Sequence, residues 1–430
     1  MRIKYIFIIG IFLLGNISKA QPKYFDEVLK VLTSKEMSGR GYTHDGMKNA
    51  SFYLSNEFKK IGLKSFETDY LQTHQFTINI IEDASLKING KKLIYGKDYI
   101  VKPSSKSIDK QKKKSFYTFS VEEYIKSFDN RESTKDFVLN DHKQQLDKNI
   151  ILPPLDTDVD SIQKYYKQWA NIYEVDSDES RAIFRFTKDS LLSSLSQRQA
   201  NVTEFIIKEK YYTNNLKINN FSLKSTFKKD FEFNNVIGYI EGENNDSVIV
   251  ISAHYDHLGQ VGNSIFPGAS DNASGTAMVL ELAKYYTENK PKYKTVFMLF
   301  GAEEAGIVGS FKYVNEPFFP LQKIKFLVNL DIMGGGDEGI QVVNGTKFKK
   351  EFSKLEKLNA DNNLLKHVKV RGESCNSDHC PFYQKNVPSF FIYTLGGKGN
   401  YHNIYDTYQN LDLSHVAPIK ELLIKFVNQL

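Results

Sequence analysis

Cysteine is scarce in this sequence, which contains only Cys375 and Cys380 among its 430 residues. A structural zinc site built from several thiolates is therefore not expected. The two cysteines lie close together in the chain, so their spacing permits one local disulfide. Two reduced thiols remain the alternative, because spacing alone does not show whether the side chains face each other.

The amino terminus lacks an apolar run long enough to span a membrane. Its run at 5–15 is shorter than the roughly 20 residues that a spanning helix needs, and no cysteine follows it to receive a lipid. Arg2 and Lys4 precede the run, and Ser18-Lys-Ala20 follows it. This order is typical of a secretory signal peptide, residues 1–20, cleaved near Ala20. We therefore expect an exported protein, periplasmic or secreted, without stable membrane insertion. An uncleaved anchor is the alternative.

Neither positive nor negative residues strongly predominate in this chain or gather in one part of it. Lysines plus arginines number 57 and acids number 51, a formal charge of +6, and loss of residues 1–20 would remove three of the positive charges and no acid. Lysines and carboxylates are interspersed, and the short basic run at 110–114 is typical of a solvated face. Nothing in this balance indicates a nucleic-acid partner.

Internal repeats and low-complexity segments are also missing, but the character of the sequence changes along the chain. Residues 21–75 form a predicted helical lead-in to the main domain, because apolar residues recur at helical spacing and Gly62 suits a helix end. Residues 76–231 mix short strand-like runs with polar stretches and contain no histidine except His142. We predict a smaller inserted domain there, mainly β or α+β, that carries no chemistry of its own.

Residues 232–430 have the pattern of an α/β domain. Their apolar runs of strand length are 236–240, 248–251, 296–300 and 326–330. Runs that are apolar on both faces favour buried strands of a mostly parallel sheet. Helical stretches at 273–288 and 305–315 supply the crossovers that such a sheet requires. The predicted fold class is therefore α/β, a three-layer αβα arrangement with a mostly parallel central sheet.

Ionisable residues follow three of these predicted strands. In chain order they are His254 with Asp256, Glu303 with Glu304, and Asp331. In an open α/β sheet the carboxyl ends of the strands form the ligand crevice. We therefore expect residues that are far apart in the sequence to converge at one edge of the sheet.

Five residues in this half of the chain are candidate metal ligands: His254, Asp271, Glu304, Asp331 and His402. Two imidazoles and three carboxylates, with no thiolate, match hydrolytic zinc rather than structural zinc. Two ions about 3.5–4 Å apart need a carboxylate that can bridge them, with further nitrogen and oxygen ligands on each side. The set therefore predicts two zinc ions per chain.

Each candidate ligand also has an ordinary structural explanation. Asp271 could cap the helix that begins near Ala273, Glu304 could complement a helix dipole, and His402 could be a hydrogen-bonded loop histidine. Their joint placement in one half of the chain, mostly at strand ends, favours the metal site.

Two further carboxylates are candidate catalytic residues. Asp256 lies two residues after His254, so in extended backbone both side chains point to one side, and Asp256 can accept the second imidazole N–H. Adjacent residues cannot easily serve one metal face. The adjacent pair Glu303 and Glu304 therefore indicates a division of labour, in which one carboxylate coordinates while its neighbour transfers protons.

Five short motifs carry a resemblance to a known family. They are His254-Tyr-Asp-His257, Ser270-Asp-Asn-Ala-Ser-Gly275, Gly301-Ala-Glu-Glu304, Asn329-Leu-Asp331 and Tyr401-His402. In order and spacing they resemble peptidase family M28, the aminopeptidase-like zinc metallopeptidases, and the lead-in segment 36–41 resembles the start of that family. The resemblance implies the zinc-exopeptidase type of fold.

The resemblance also implies a role for each position. Asp271 would bridge the two zinc ions, with His254 and Asp331 completing one ion and Glu304 and His402 the other. Glu303 would be the general base, which removes a proton from the bridging water and passes it to the leaving amine. Asp256 would orient His254.

Two other segments resemble parts of this family. The insert at 76–231 resembles the protease-associated domain that some members carry, and Ser377-Asp-His379 resembles the wall of the family's active site. The tyrosine that some members place between the two cysteines is absent here, so Tyr383 is a candidate to stabilise the tetrahedral intermediate. His379 is expected to be hydrogen-bonded rather than ligating.

The predicted function is hydrolysis of peptide bonds in a peptide or protein substrate. The resemblance favours an aminopeptidase, which releases amino-terminal residues. One alternative is a glutaminyl cyclase-like transferase that uses a single zinc ion, and another is a non-catalytic binding protein on the same fold. The presence of all five candidate ligands favours two ions and therefore hydrolysis. The oligomeric state and the preferred residue do not follow from the sequence.

Overall fold

The computed structural model describes residues 22–109, 114–128, 131–155, 162, 164, 166 and 181–430. The predicted signal peptide, residues 1–20, lies outside them. Within the described residues, no helix combines the length and the apolar character that crossing a bilayer requires.

Helices and strands alternate mainly in the last part of the described chain, from Gly275 onward. The α-helices are α1 (Lys23–Leu32), α2 (Gly46–Ile61), α3 (Val121–Lys126), α4 (Arg131–Gln144), α5 (Gly275–Glu288), α6 (Val308–Asn315), α7 (Lys349–Asn362), α8 (His379–Gln384) and α9 (Val416–Asn428). The strands are β1 (Lys64–Ser65), β2 (Leu71–Ile88), β3 (Lys91–Lys92), β4 (Tyr99–Val101), β5 (Phe116–Thr118), β6 (Asn149–Leu152), β7 (Ala182–Thr187), β8 (Thr203–Lys208), β9 (Ile218–Ile240), β10 (Asn244–His254), β11 (Gly259–Val261), β12 (Ser264–Phe266), β13 (Tyr293–Phe300), β14 (Ile324–Leu330), β15 (Gly339–Val343), β16 (Val368–Val370) and β17 (Ser389–Leu395).

The main sheet is parallel at its centre and antiparallel at its flanks. Its order is β16-β15-β17-β14-β10-β13-β9-β2-β3, with β1 paired to β9. Strands β17, β14, β10 and β13 are parallel to one another, whereas β9 and β15 join this centre in antiparallel fashion. The predicted α/β class and the parallel central strands are confirmed. The antiparallel flanks were not predicted.

Helices cover both faces of this sheet. Ile249 and Ile251 of β10 pack on one face into a core that also contains Leu29 of α1 and Leu54 of α2. Val250 points to the other face, where its core includes residues of α6 and α8. Side chains alternate between faces along a strand, so a strand that is apolar throughout is buried on both sides. The result is the expected three-layer arrangement, and the lead-in helices form part of one layer.

A long antiparallel ribbon connects the main sheet to a second, smaller sheet. Strands β2 and β9 pair from Leu71 opposite Val236 to Ile88 opposite Ile218. The second sheet, in the order β4-β8-β7-β6-β5, packs its apolar side against the far half of this ribbon. The predicted insert boundaries, residues 76 and 231, fall inside the ribbon. The division into domains and the resemblance to a protease-associated domain stay predictions.

The lead-in segment between α1 and α2 packs directly beneath the loops that follow β10. A Cβ on Gly41 would lie 2.2 Å from the Cα of Gly259, so only glycine allows this approach. Arg40 is fully buried, and its guanidinium donates hydrogen bonds to the carbonyls of Tyr255 and Gly268 at 2.7 and 2.8 Å. This segment therefore fixes the backbone around the strand ends.

Candidate functional site

The candidate site lies where the parallel strands of the main sheet end. His254 is the last residue of β10, and in the register of the sheet it stands opposite Phe300, the last residue of β13. Glu303 and Glu304 follow β13, and Asp331 follows β14 directly. Asp271 lies in the turn before α5, and His402 lies in the loop after β17. The structure brings all five candidate ligands to this one edge.

The first group of side chains surrounds His254. Its Nε2 atom lies 3.3 Å from Oδ1 of Asp271 and 3.4 Å from Oδ1 of Asp331. All three residues are buried, and these three ligand atoms lie within 4.8 Å of one another. Glu303 is close to this group, with its Oε2 atom 3.9 Å from the same His254 nitrogen.

The second group uses the other oxygen of Asp271. The Nε2 atom of His402 lies 3.1 Å from Oδ2 of Asp271 and 3.0 Å from Oε2 of Glu304. His257 joins this group, because its Nδ1 atom lies 2.6 Å from Oε1 of Glu304. With Asp271 and Glu304 it forms a second set of ligand atoms within 4.8 Å. Sequence analysis gave His257 no role, although it stands in the His254–His257 motif.

The donor atoms fit a pair of zinc ions. Ligands about 2.0–2.2 Å from a tetrahedral zinc ion lie about 3.3–3.6 Å from each other, and the distances from His254 to Asp271 and to Asp331, 3.3 and 3.4 Å, have this spacing. The second group is slightly tighter. The buried atom Oδ1 of Asp331 has no hydrogen-bond partner among the described residues, as expected of an atom that binds an ion. The assignment of the five residues as ligands remains a prediction that this geometry supports.

The buried carboxylates of the site raise the pKa values of both histidines among the candidate ligands. Burial alone would lower the pKa of His254, but the Asp331 and Glu303 carboxylates outweigh it and hold that pKa well above its usual value. Burial would also lower the pKa of His402, but the Glu304 and Asp271 carboxylates outweigh this effect and raise that pKa to about 10. Bound cations would satisfy the same carboxylates.

Asp256 is placed differently from the prediction. Its carboxylate lies 3.7 Å from Nδ1 of His254, which is too far for a hydrogen bond, and its backbone carbonyl at 3.2 Å is the nearer acceptor. The carboxylate instead accepts the backbone N–H groups of Glu303 and Glu304 at 3.0 and 3.3 Å, and the Tyr42 hydroxyl at 3.0 Å. Asp256 therefore holds the turn that presents the glutamate pair.

Two further supports were missed by sequence analysis. Asp406 is buried and accepts the backbone N–H groups of Ser270 and Asp271 at 2.8 and 3.0 Å, which fixes the turn that carries Asp271. The only feature of the sequence that could have indicated this role is the position of Asp406, four residues after His402. Ser377 donates to Oδ2 of Asp331 at 3.0 Å, so the segment between the cysteines holds this carboxylate in place.

The loop that carries His402 contacts the segment that connects β7 and β8 of the second, smaller sheet. Nδ1 of His402 lies 3.0 Å from the carbonyl oxygen of Ser193, and the Ser193 N–H donates to the His402 carbonyl at 3.0 Å. Ser193 lies between β7 and β8, within the predicted insert. A backbone carbonyl that accepts the second N–H of a ligating histidine fixes the ring and its tautomer.

The wall formed by the cysteine segment differs from one expectation. Cys375 and Cys380 form a disulfide, and His379 is buried and hydrogen-bonded to the Ser374 carbonyl at 2.8 Å, as predicted. Tyr383 donates its hydroxyl to the Glu373 carboxylate and does not line the cavity over the ligands. Its proposed part in stabilising an intermediate is therefore not supported.

A cavity of about 210 Å³ opens over the candidate ligands. Beyond the ligands and Glu303, its walls are formed by Ile332, Arg371, Asn376, Phe391, Tyr393 and Tyr401. The tyrosines of this wall are Tyr393 and Tyr401, and the ring of Tyr401 stacks on the His402 imidazole with 3.8 Å between centroids. A substrate in this cavity would meet Glu303 and the ligand groups together.

Comparison with solved structures defines the fold. The structure of BSAP, a zinc aminopeptidase from Bacillus subtilis, superposes with a TM-score of 0.66, covers 96% of each chain and is 18% identical in sequence. An aminopeptidase from Aneurinibacillus sp. strain AM-1 superposes with a TM-score of 0.62 at 19% identity, covering 96% of this chain and 95% of that one. At these identities the likeness establishes a shared fold.

Comparison by sequence finds aminopeptidases among the relatives of this chain. A probable leucine aminopeptidase of Trichophyton verrucosum is 29% identical over 222 residues, which are 47% of this chain and 58% of that protein. An aminopeptidase of Pseudomonas aeruginosa is 36% identical over 121 residues, 27% of this chain and 21% of that protein. The chain thus spans only about a fifth to three fifths of these relatives. Residues 235–427 match the family model described as peptidase family M28.

Proposed function

We propose that this chain is an exported zinc metallopeptidase that holds two ions and releases amino-terminal residues from peptides. The observation that carries the proposal is the placement of Asp271, whose Oδ1 faces His254 at 3.3 Å while Oδ2 faces His402 at 3.1 Å. One carboxylate that presents its two oxygens to two separate groups is what a bridged pair of ions needs.

Each residue of the site has a defined task in this proposal. His254 and Asp331 would hold one ion, Glu304 and His402 the other, and Asp271 both. When bound, such ions polarise the scissile carbonyl and lower the pKa of a water molecule toward neutrality. Every other task falls to side chains of the protein.

Glu303 is the residue placed to transfer protons. It lines the cavity, keeps 14% of its side chain exposed and is fixed through its backbone N–H by Asp256. Burial in the cavity wall raises its pKa above the usual value, which suits a base that later returns the proton. Glu303 would take a proton from the attacking water and deliver it to the amine of the departing peptide.

The proposal that the protein acts at the amino terminus of its substrates rests on the relatives. The matched proteins from Trichophyton and Pseudomonas are named aminopeptidases, and the Bacillus protein of the same fold is a zinc aminopeptidase.

The proposal that the protein is exported rests on the signal-like segment 1–20. Sequencing of the mature protein should find Gln21 at its amino terminus, and an intact Met1 would contradict cleavage.

The purified protein should contain two zinc ions per chain and hydrolyse aminoacyl p-nitroanilides. The same substrates with an acetylated amino group should not be cleaved, because an aminopeptidase acts at a free amino terminus. Zinc content by mass spectrometry and release of nitroaniline test both points. One zinc ion per chain together with cyclisation of amino-terminal glutamine would favour a glutaminyl cyclase instead.

Replacing Ser193 with proline should weaken zinc retention by about 10- to 100-fold, the usual range for the loss of a partner that orients a ligand. Proline removes the N–H that bonds to the His402 carbonyl and so loosens the loop that carries the imidazole. Zinc affinity measured with a chelator checks this. Ser193→Ala is the control, because it keeps both backbone groups and should retain zinc normally. Equal affinity in both variants would show that the contact does not position His402.

A further inference from the structure

One cation stands in the wall of the cavity over the ligands. Among the residues that the structure describes, Arg371 is the only lysine or arginine that lines this cavity. It follows the last residue of β16, and its backbone N–H donates to the carbonyl of Val342 on β15 at 2.9 Å. The backbone at Arg371 is therefore anchored to the main sheet.

The guanidinium of Arg371 is held at the cavity wall. Its Nη1 atom donates to the hydroxyl of Tyr393 at 3.0 Å, and Tyr393 lies on β17 and lines the same cavity. Although Arg371 is exposed to solvent, this contact directs its charged end toward the site rather than away from it.

No carboxylate of the described residues lies within 4.0 Å of the Arg371 guanidinium to form an ion pair. The acid nearest to it in sequence, Glu373, accepts the hydroxyl of Tyr383 instead. A guanidinium offers five N–H donors in a fixed fork, and one of them is engaged by Tyr393. The remaining donors are free to bind an anion.

We propose that Arg371 binds a carboxylate of the substrate, so that the preferred substrates carry a carboxylate close to the bond that is cleaved. Arginine forms two parallel hydrogen bonds with a carboxylate, and the neighbouring Phe391 and Tyr393 supply an apolar and hydroxyl-bearing surface beside it. The carboxylate is either an acidic side chain or the carboxyl terminus of a short peptide. This inference rests on the proposed peptidase function.

Three matched pairs of peptides separate the sources of the carboxylate. Glu-Leu amide against Gln-Leu amide tests the side chain of the first residue, and Leu-Glu amide against Leu-Gln amide tests that of the second. Leu-Leu against Leu-Leu amide tests the carboxyl terminus. In at least one pair, kcat/KM of the zinc-loaded protein should be about tenfold or more higher for the carboxylate, the effect of one charge-assisted contact.

Arg371→Gln should abolish that preference by lowering kcat/KM for the carboxylate member to that of the neutral member. Lys369→Gln is the matched control. It removes an exposed cation from the same segment but outside the cavity lining, so it should keep the preference. A preference lost equally in both variants would assign it to net charge and overturn the role of Arg371.

Failure of this inference differs from failure of the proposed function. Equal hydrolysis of both members in all three pairs overturns the carboxylate site and leaves the peptidase standing. If none of the peptides is cleaved, calorimetric titration of the zinc-loaded protein with the same intact pairs decides the matter. Tighter binding of a carboxylate member that Arg371→Gln removes supports the site, and equal binding of the members overturns it.

Discussion

Replacing Glu303 with glutamine should lower kcat by about 10²- to 10⁴-fold, the usual contribution of a positioned general base, while the zinc content stays unchanged. Glutamine has nearly the same shape as glutamate and keeps the backbone N–H that binds Asp256, but it cannot accept the proton of the attacking water. Glu303 also stands beside the candidate ligands rather than among the two ligand groups. Steady-state kinetics and zinc analysis of the same preparation check both parts.

Glu356→Gln is the control for this variant, because Glu356 is exposed on α7 and its loss should leave the rate unchanged. A Glu303→Gln protein that retains near-normal turnover would remove Glu303 from its role as base. A variant that instead loses its zinc would make Glu303 a ligand.

Replacing Asp271 with asparagine should reduce zinc from two ions to one or fewer per chain and lower kcat by about 10³-fold or more, since the stabilisation supplied by the ions amounts to several kcal/mol. The reason is geometric: the two oxygens of Asp271 face the two groups at 3.3 and 3.1 Å. An amide offers one oxygen and no negative charge, so it cannot bridge two cations. Zinc analysis after dialysis, with parallel kinetics, provides the measurement.

The control for the bridging variant is Asp361→Asn, which removes an exposed acid that pairs with Lys357 on α7. This protein should hold two ions and work normally. Retention of both ions by Asp271→Asn would show that another residue joins them, and the division of ligands between two groups would then be wrong.

The central strands were predictable from the sequence because burial on both faces leaves a local signal. The run 248–251 is apolar at every position, and it lies in β10 between two parallel neighbours. The long ribbon of β2 and β9 was not predicted. Its burial alternates with exposure, and only short pieces at its ends, 236–240 among them, were predicted as strands.

The chemistry of the site was more predictable than its supports. His254, Glu304 and Asp331 are metal-ligand types near strand ends, and the topology of a parallel sheet places such ends side by side. The contact between Ser193 and His402 joins a backbone carbonyl to an imidazole 209 residues away. Such a contact cannot be predicted from residue type, because any residue can provide a backbone carbonyl. Tyr383 failed as a candidate for the opposite reason: its chemistry was suitable, but it lies outside the cavity.

In the proposed site, Asp271 joins two zinc ions between the His254 and His402 groups. Anomalous diffraction at the zinc edge from crystals of the zinc-loaded protein locates such ions without reference to activity. Two peaks about 3.5–4 Å apart are expected, one beside His254 and Asp331 and the other beside Glu304 and His402, with the Asp271 carboxylate between them. A single peak, or ions bound away from Asp271, would contradict this arrangement.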